Sequence, residues 1–200
     1  MAEQTGARSP LALVGDRLAE VGSATGGALS IAEVPFLAQI NVRLDPKGSA
    51  ADPVTAALGV ALPTAPGITR SGELSVVWLG PDEWLIIGPP GTEGELTSRL
   101  RSSAGAAHVS VVDVSAQRTT LLVAGPRARD LLALGCALDL HPRSFGEGSC
   151  AQTMLAQAPI ILVGRDLRPP AFWVLVRASF AAYLADWLID ASIGFSADPQ

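Results

Sequence analysis

Two hundred residues are enough for one substantial domain or two small ones fused together. Apolar residues make up 48% of the chain and charged residues only 16%, against roughly 25% charged in typical soluble domains, so part of the surface is expected to be apolar and covered by another chain. The net charge is −5, and thirteen scattered arginines beside the single Lys47 form no basic patch, which argues against nucleic-acid binding.

The N-terminus lacks signal-peptide order, and no apolar run approaches the roughly twenty residues that span a bilayer, so a soluble, cytoplasmic protein is expected. Residues 1–30 are rich in Gly, Ala, Ser and Thr and read as an N-terminal arm. Within it, Leu11, Val14, Leu18 and Val21 repeat at helical spacing, and 22–27 reads as a flexible link. The arm either wraps on a partner or is disordered. Over 34–44 apolar and polar residues alternate as in a half-buried strand. Asp52 and Pro53 then offer a cap and a first helical proline for a short helix ending at Gly59. Segment 62–72, with Pro63, Pro66 and Gly67, reads as a loop.

Strands are expected over 74–79 and 84–88, joined by a four-residue turn from Gly80 to Glu83. Thr92 and Glu95 have capping-box spacing for a helix through about Ala104, with Leu96 and Leu100 facing inward. A strand over 109–114 completes β-α-β-β-α-β, the order of a ferredoxin-like split βαβ unit. The stretch 111–132 is the clearest in the chain: a strand broken at Asp113, a second strand over 119–123, then a helix opened by Gly125-Pro126. Ala128, Leu131 and Leu132 face its sheet, Arg127, Arg129 and Asp130 point away, and Gly135 closes it with positive φ. Further strands are read at 152–155, 160–163 and 172–177, followed by a helix capped by Ser179. Its apolar face is read as Phe180, Tyr183, Leu184, Trp187, Leu188 and Ala191. The fold class is therefore α+β, with half-units over about 34–115 and 116–192, the second a loose echo of the first, within a domain over 31–195 and a tail at 196–200.

The residues show no catalytic, cofactor or metal constellation. Dinucleotide, P-loop and nucleophile-elbow motifs are absent. His108 and His141 lack a second ligand at metal spacing, and His141, before Pro142, reads as a turn or interface residue. Asp113, with Arg118 as its expected partner, reads as a turn-forming carboxylate ahead of an acid–base group. Asp82 and Glu83 read as solvated. Trp78, Trp84, Trp173 and Trp187 read as core or interface anchors. Cys136 and Cys150 read first as buried thiols, with a disulfide bridge as the other possibility.

The segments FLAQINVRLDP (36–46), WLGPDEWLIIGPPG (78–91), VVDVSAQRTTLLVAGPRARDLLALGCALDLHPRSF (111–145) and WVLVRASFAAYLADWLIDA (173–191) resemble the gamma subunit of heterotetrameric sarcosine oxidase, from about residue 9 onward. The GPDEWL turn combined with LDLHPRSF carries most of that specificity. The resemblance implies a fold related to the folate-binding domain of the glycine-cleavage T-protein. It also implies a complex with alpha, beta and delta subunits, in which the alpha and beta chains hold NAD, FAD, covalent FMN and tetrahydrofolate and the delta chain holds zinc. That complex oxidises sarcosine to glycine and hydrogen peroxide, passing the methyl carbon to tetrahydrofolate or releasing formaldehyde. The gamma chain is expected to carry none of these centres, and any interface to use the arm, the His141-Pro142-Arg143 turn and exposed aromatics. The alternative is a stand-alone tetrahydrofolate-binding T-protein-like protein. Against it, the T-protein's essential Asp falls by alignment at Gly72-Glu73. The segment Gly146 to Gln152 lacks the Lys and Tyr of a related folate-dependent motif.

Overall fold

The computed structural model describes residues 8–196; the beginning of the expected arm, 1–7, and residues 197–200 of the expected tail lie outside the described residues. In chain order the first elements are α1 (Gly15–Ala24), β1 (Ser30–Val34), β2 (Ala38–Arg43), α2 (Ala51–Leu58), β3 (Ile68–Ser71), β4 (Leu74–Gly80), β5 (Glu83–Gly88) and α3 (Glu93–Ala104). They are followed by β6 (Ser110–Asp113), β7 (Arg118–Ala124), α4 (Ala128–Ala133), β8 (Cys150–Leu155), β9 (Ala158–Leu167), β10 (Pro170–Arg177) and α5 (Ala178–Ser192), which ends in a single 3₁₀ turn, Ile193–Phe195.

These elements stack in four layers, helix, sheet, sheet and helix. The continuous apolar runs of the sequence are strands covered on both faces. In β5, Trp84 and Ile86 pack against α2 and α3, while Leu85 and Ile87 face the other sheet. In β9 and β10, Ile160, Leu162, Val174 and Val176 face α1, α4 and α5, while Ile161, Val163 and Leu175 meet Leu85 and Ile87 between the sheets. The period of two thus fills three cores at once, each fully buried Leu, Ile or Val contributing about 1.5–3 kcal/mol.

Both sheets have five antiparallel strands, ordered β3-β4-β5-β2-β6 and β1-β7-β10-β9-β8. In the first, β5 lies between β2 and β4, and α2 followed by the edge strand β3 connects those two, so the split βαβ arrangement read from the sequence is present with one added strand. The second, read as β8-β9-β10-β7-β1, has the equivalent strand order, with β7, β8, β9 and β10 in the places of β2, β3, β4 and β5 and β1 in the place of β6, so it echoes the first. Its outer strand β1 precedes the first sheet in the chain yet pairs with β7, from Ser30 opposite Ala124 to Val34 opposite Thr120. The strands read as one ββ unit around Asp113, β6 and β7, lie in different sheets, and residues 114–117 are the crossover. Gln39, on β2, fastens that crossover. Its N–H donates to Ser115 Oγ (2.9 Å), its carbonyl accepts from Val114 N–H (2.8 Å), and its Nε2 donates to Arg118 O (3.3 Å).

Several expectations need correction. The described part of the arm contributes to the core: Leu11, Leu18, Val21 and Leu29 are buried against α5 and its sheet. The supposed flexible link is a closed turn, because buried Thr25 donates its hydroxyl to Val21 O (2.7 Å) and accepts Leu29 N–H (3.2 Å). Strand 34–44 divides into the last residue of β1 and the whole of β2, with the turn between them holding Phe36 at φ 61°. The proline-rich loop contains β3, paired with β4 from Ile68 opposite Val77. The turn after β4 is tighter than expected, since Gly80 pairs with Glu83 and leaves Pro81-Asp82 as the loop.

Helix starts also shift. α2 is capped at Ala50, before Asp52-Pro53, while Gly59 closes it at φ 66° as expected. Thr92 caps α3 by position only, as its hydroxyl donates back to Pro89 O (2.7 Å) and Glu95 pairs with Arg99 (3.7 Å). α5 starts at Ala178, so Ser179 lies inside it. The buried face of α5 is Ala181, Leu184, Ala185, Leu188 and Ser192, rotated from the aromatic stripe, because alanines let the helix approach its sheet. Gly135 has no positive φ; α4 is closed by right-handed Leu134. Gly135 is glycine because a Cβ would lie 2.7 Å from the Trp187 ring.

Candidate functional site

The polar residues singled out in the sequence are employed in turns and links. Asp113 Oδ1 accepts the N–H and hydroxyl of Ser115, at 2.9 and 2.5 Å, so it holds the sheet-to-sheet crossover. Arg118, its expected partner, makes no ion pair with it and stands instead opposite Arg177 in the β7–β10 ladder. Asp82 is exposed and pairs with Arg43 (3.1 Å). Glu83 is less solvated than expected, accepting from Asn41 Nδ2 at 2.8 Å. His108 lies in an open groove with Arg43, Asp45 and Asp82. Among the described residues no three His, Cys, Asp or Glu side chains gather as metal ligands.

The LDLHPRSF segment is a self-contained turn. Asp139 accepts His141 N–H (2.9 Å) and the Ser144 hydroxyl (2.5 Å), while His141 Nδ1 accepts Arg143 N–H (3.2 Å). Arg129, expected to point away, reaches under this turn to donate to Phe145 O (2.8 Å) and lies 4.9 Å over the Phe172 ring. His141, Pro142 and Arg143 are exposed. The Ser144 hydroxyl, then the His141 N–H, hold Asp139 below the usual carboxylate range. A depressed folded pKa adds stability above the unfolded value, about 4, and that stability is lost as the pH falls through the folded value. Asp139→Asn should therefore flatten the acid limb of a melting-temperature-against-pH curve; an equally steep limb in both proteins would contradict the assignment.

Trp84 is buried, and its Nε1 donates to Pro63 O at 2.8 Å. Trp78, Trp173 and Trp187 are half-buried, with Arg165 lying 3.7 Å over Trp173. Cys136 and Cys150 are both free and buried. Cys150 sits between the sheets and donates to Gly67 O (3.2 Å), and burial raises its pKa. Gly72-Glu73 forms the exposed turn between β3 and β4. The Gly146–Cys150 segment is tied to β9 by Gly148 N–H to Gly164 O (3.0 Å) and Gly164 N–H to Ser149 O (2.9 Å).

The apolar surface is the less expected feature. Leu13, Leu134 and Ile193 are 81%, 62% and 65% exposed, and Phe36, Phe180 and Tyr183 are the exposed aromatics. Tyr183 is placed near the β8–β9 turn, its hydroxyl accepting Gln157 N–H (3.3 Å). Periodicity had assigned Phe180 and Tyr183 to the core because it weighs size and polarity but cannot see how closely α5 approaches its sheet.

Two antiparallel sheets between helical layers define the chain as an α+β protein of T-protein-like fold. The aminomethyltransferase T of the glycine cleavage system from Bartonella henselae matches 86% of this chain and 48% of its own, at TM-score 0.63 and 16% identity, a likeness of fold alone. The family model "Sarcosine oxidase, gamma subunit family" matches residues 44–194. Sarcosine oxidase subunit gamma of Corynebacterium sp. (strain P-1) is 34% identical over 96% of this chain and 93% of its own length. That of Arthrobacter sp. is 36% identical, over 94% and 91%. In the structure of heterotetrameric sarcosine oxidase from Corynebacterium sp. U-96 in complex with pyrrole 2-carboxylate, one chain aligns at TM-score 0.86 and 34% identity, covering 97% of this chain and 98% of that one. The chain belongs to the sarcosine oxidase gamma subunit family.

Proposed function

We propose that this chain is a non-catalytic, architectural gamma subunit of a heterotetrameric sarcosine oxidase, holding flavin- and folate-bearing subunits in register. The observation that carries this reading is the likeness, over 97% of the chain, to a chain of a heterotetrameric sarcosine oxidase. Its partners are then the alpha, beta and delta subunits, which hold NAD, FAD, FMN, tetrahydrofolate and zinc. The assembly converts sarcosine to glycine, hydrogen peroxide and formaldehyde or methylene-tetrahydrofolate in the cytoplasm. Supporting an architectural role, Asp113 and Asp139 are committed to turns, and apolar side chains as large as Phe36 and Leu134 are exposed.

Co-expression of the other subunits with and without this chain tests the reading. Omitting it should lower the yield of intact complex, whereas the isolated chain should neither oxidise sarcosine nor bind tetrahydrofolate. Saturable tetrahydrofolate binding by the isolated chain, with a rise in melting temperature, would favour the alternative of a stand-alone folate binder, which has the T-protein-like fold behind it.

A further inference from the structure

The crossover between the sheets ends at Arg118, and in the β7–β10 ladder Arg118 stands directly opposite Arg177. Like charges directly opposite on an antiparallel pair repel, so this arrangement works against the fold. Arg118 is half-buried, and burial first, then Arg177, lower its pKa, with Glu83 opposing them. Among the described residues, the ion pairs of this chain use Arg17, Arg43, Arg70, Arg99 and Arg127, and neither Arg118 nor Arg177 is in one.

A cavity of about 330 Å³ opens beside Arg118, and Arg8, Phe36, Pro10, Thr119 and Ala178 also line it. The charged residues that line it, Arg8 and Arg118, are both positive. Arg8 adds a further guanidinium, and Ala178 begins the fifteen-residue α5, whose N-terminal dipole end adds positive potential. Nearby, the Glu33 carboxylate accepts the hydroxyls of Ser9 and Thr119, which orient it and leave its charge in place, so the positive potential of the cavity comes from Arg8, Arg118 and the start of α5. At the mouth, Phe36 is 47% exposed and held at φ 61°, a left-handed conformation that a bulky residue adopts rarely.

We propose that this cavity receives a carboxylate side chain from an acidic segment of another subunit, with the guanidiniums of Arg118 and Arg8, which line it, as its charge partners and Phe36 as its apolar rim. Guanidinium forks match carboxylates in geometry and charge. The exposed Phe36 ring and Pro10 give the contact area of a peptide, which a free ion would not use. The inference rests on the gamma-subunit reading and locates one of its contacts.

The test uses the full chain co-expressed with the remaining subunits, and compares wild type with Arg118→Gln, Arg8→Gln and Arg118→Lys for assembly affinity at low and high salt. Each Gln variant should assemble about tenfold more weakly at low salt and lose much of the salt dependence, with Arg118→Lys intermediate. The isolated Arg118→Gln chain should melt no lower than wild type, because a repulsion has been removed. Should that variant fail to fold, Arg8→Gln carries the test, since Arg8 lines the cavity and is exposed. If wild type assembles and both Gln variants match it at both salts, the proposal is overturned while the gamma-subunit reading stands. If wild type assembles with no other subunit, the reading itself fails and the proposal with it. Saturable stabilisation of the isolated chain by free acetate, abolished in Arg118→Gln, would give the pocket to a small anion and also overturn the proposal.

Discussion

Trp84→Ala should destabilise the chain by about 3–5 kcal/mol, the range for emptying a buried aromatic site. Trp84 is 1% exposed and packs among Val54, Leu96 and Leu100 of α2 and α3. Its indole N–H is also the donor for Pro63 O, so truncation leaves both a cavity and a carbonyl without its partner. For a chain of this length the loss corresponds to a fall in melting temperature of roughly 2–4 °C per kcal/mol. Trp84→Phe should fall between the two, since it keeps most of the apolar volume and loses the hydrogen bond. A Trp84→Ala variant within about 1 kcal/mol of wild type would mean that the helix-to-sheet core is assembled differently.

Gly125→Ala should be nearly as damaging, by about 3 kcal/mol, for reasons that involve backbone alone. Gly125 joins β7 to α4 at φ 117°, where non-glycine residues carry backbone strain. An added Cβ would lie 2.5 Å from Ala28 O, an atom that cannot swing aside as a side-chain tip could. The same carbonyl accepts Arg127 N–H (3.1 Å), so any shift that makes room weakens the start of α4. Ala28 belongs to the segment between α1 and β1, and this contact locks the N-terminal region to the second sheet. Gly94→Ala, in the first turn of α3 with open space around it, is the control and should be neutral or slightly stabilising. Equal melting temperatures for the two variants would contradict the close approach at Ala28.

Much of this architecture was legible because strands covered on both faces leave an apolar signal that hardly depends on context. WLIIG, IILVG and FWVLV are such runs, and all three became central strands. The split βαβ order of the first sheet followed from them and from the helix signals between. What was not legible depends on distant partners. β1 is five residues long with an alternation too short to register, and it exists because β7 offers a free edge. β3 was hidden by flanking prolines and glycine, although it needs only one neighbour, β4. The Gly- and Ser-rich start looked mobile by composition, but a single hydroxyl, that of Thr25, closes its turn.

The same distinction separates the site readings. That Asp113 would serve a turn was readable from Asp-Val-Ser, because short polar side chains bond backbone two residues on. That Arg118 would face Arg177 was not, because it depends on a ladder register between partners 47 to 59 positions apart in the chain. Arg129 was assigned to solvent by helical periodicity, yet its long side chain reaches back to tie down the LDLHPRSF turn.

The measurement that tests the central claim most directly is recovery of the tagged chain from its native cell with identification of everything bound to it. The account predicts a complex of four different chains that contains flavin and oxidises sarcosine. Recovery of the chain alone, with no flavin and no other subunit, would contradict it.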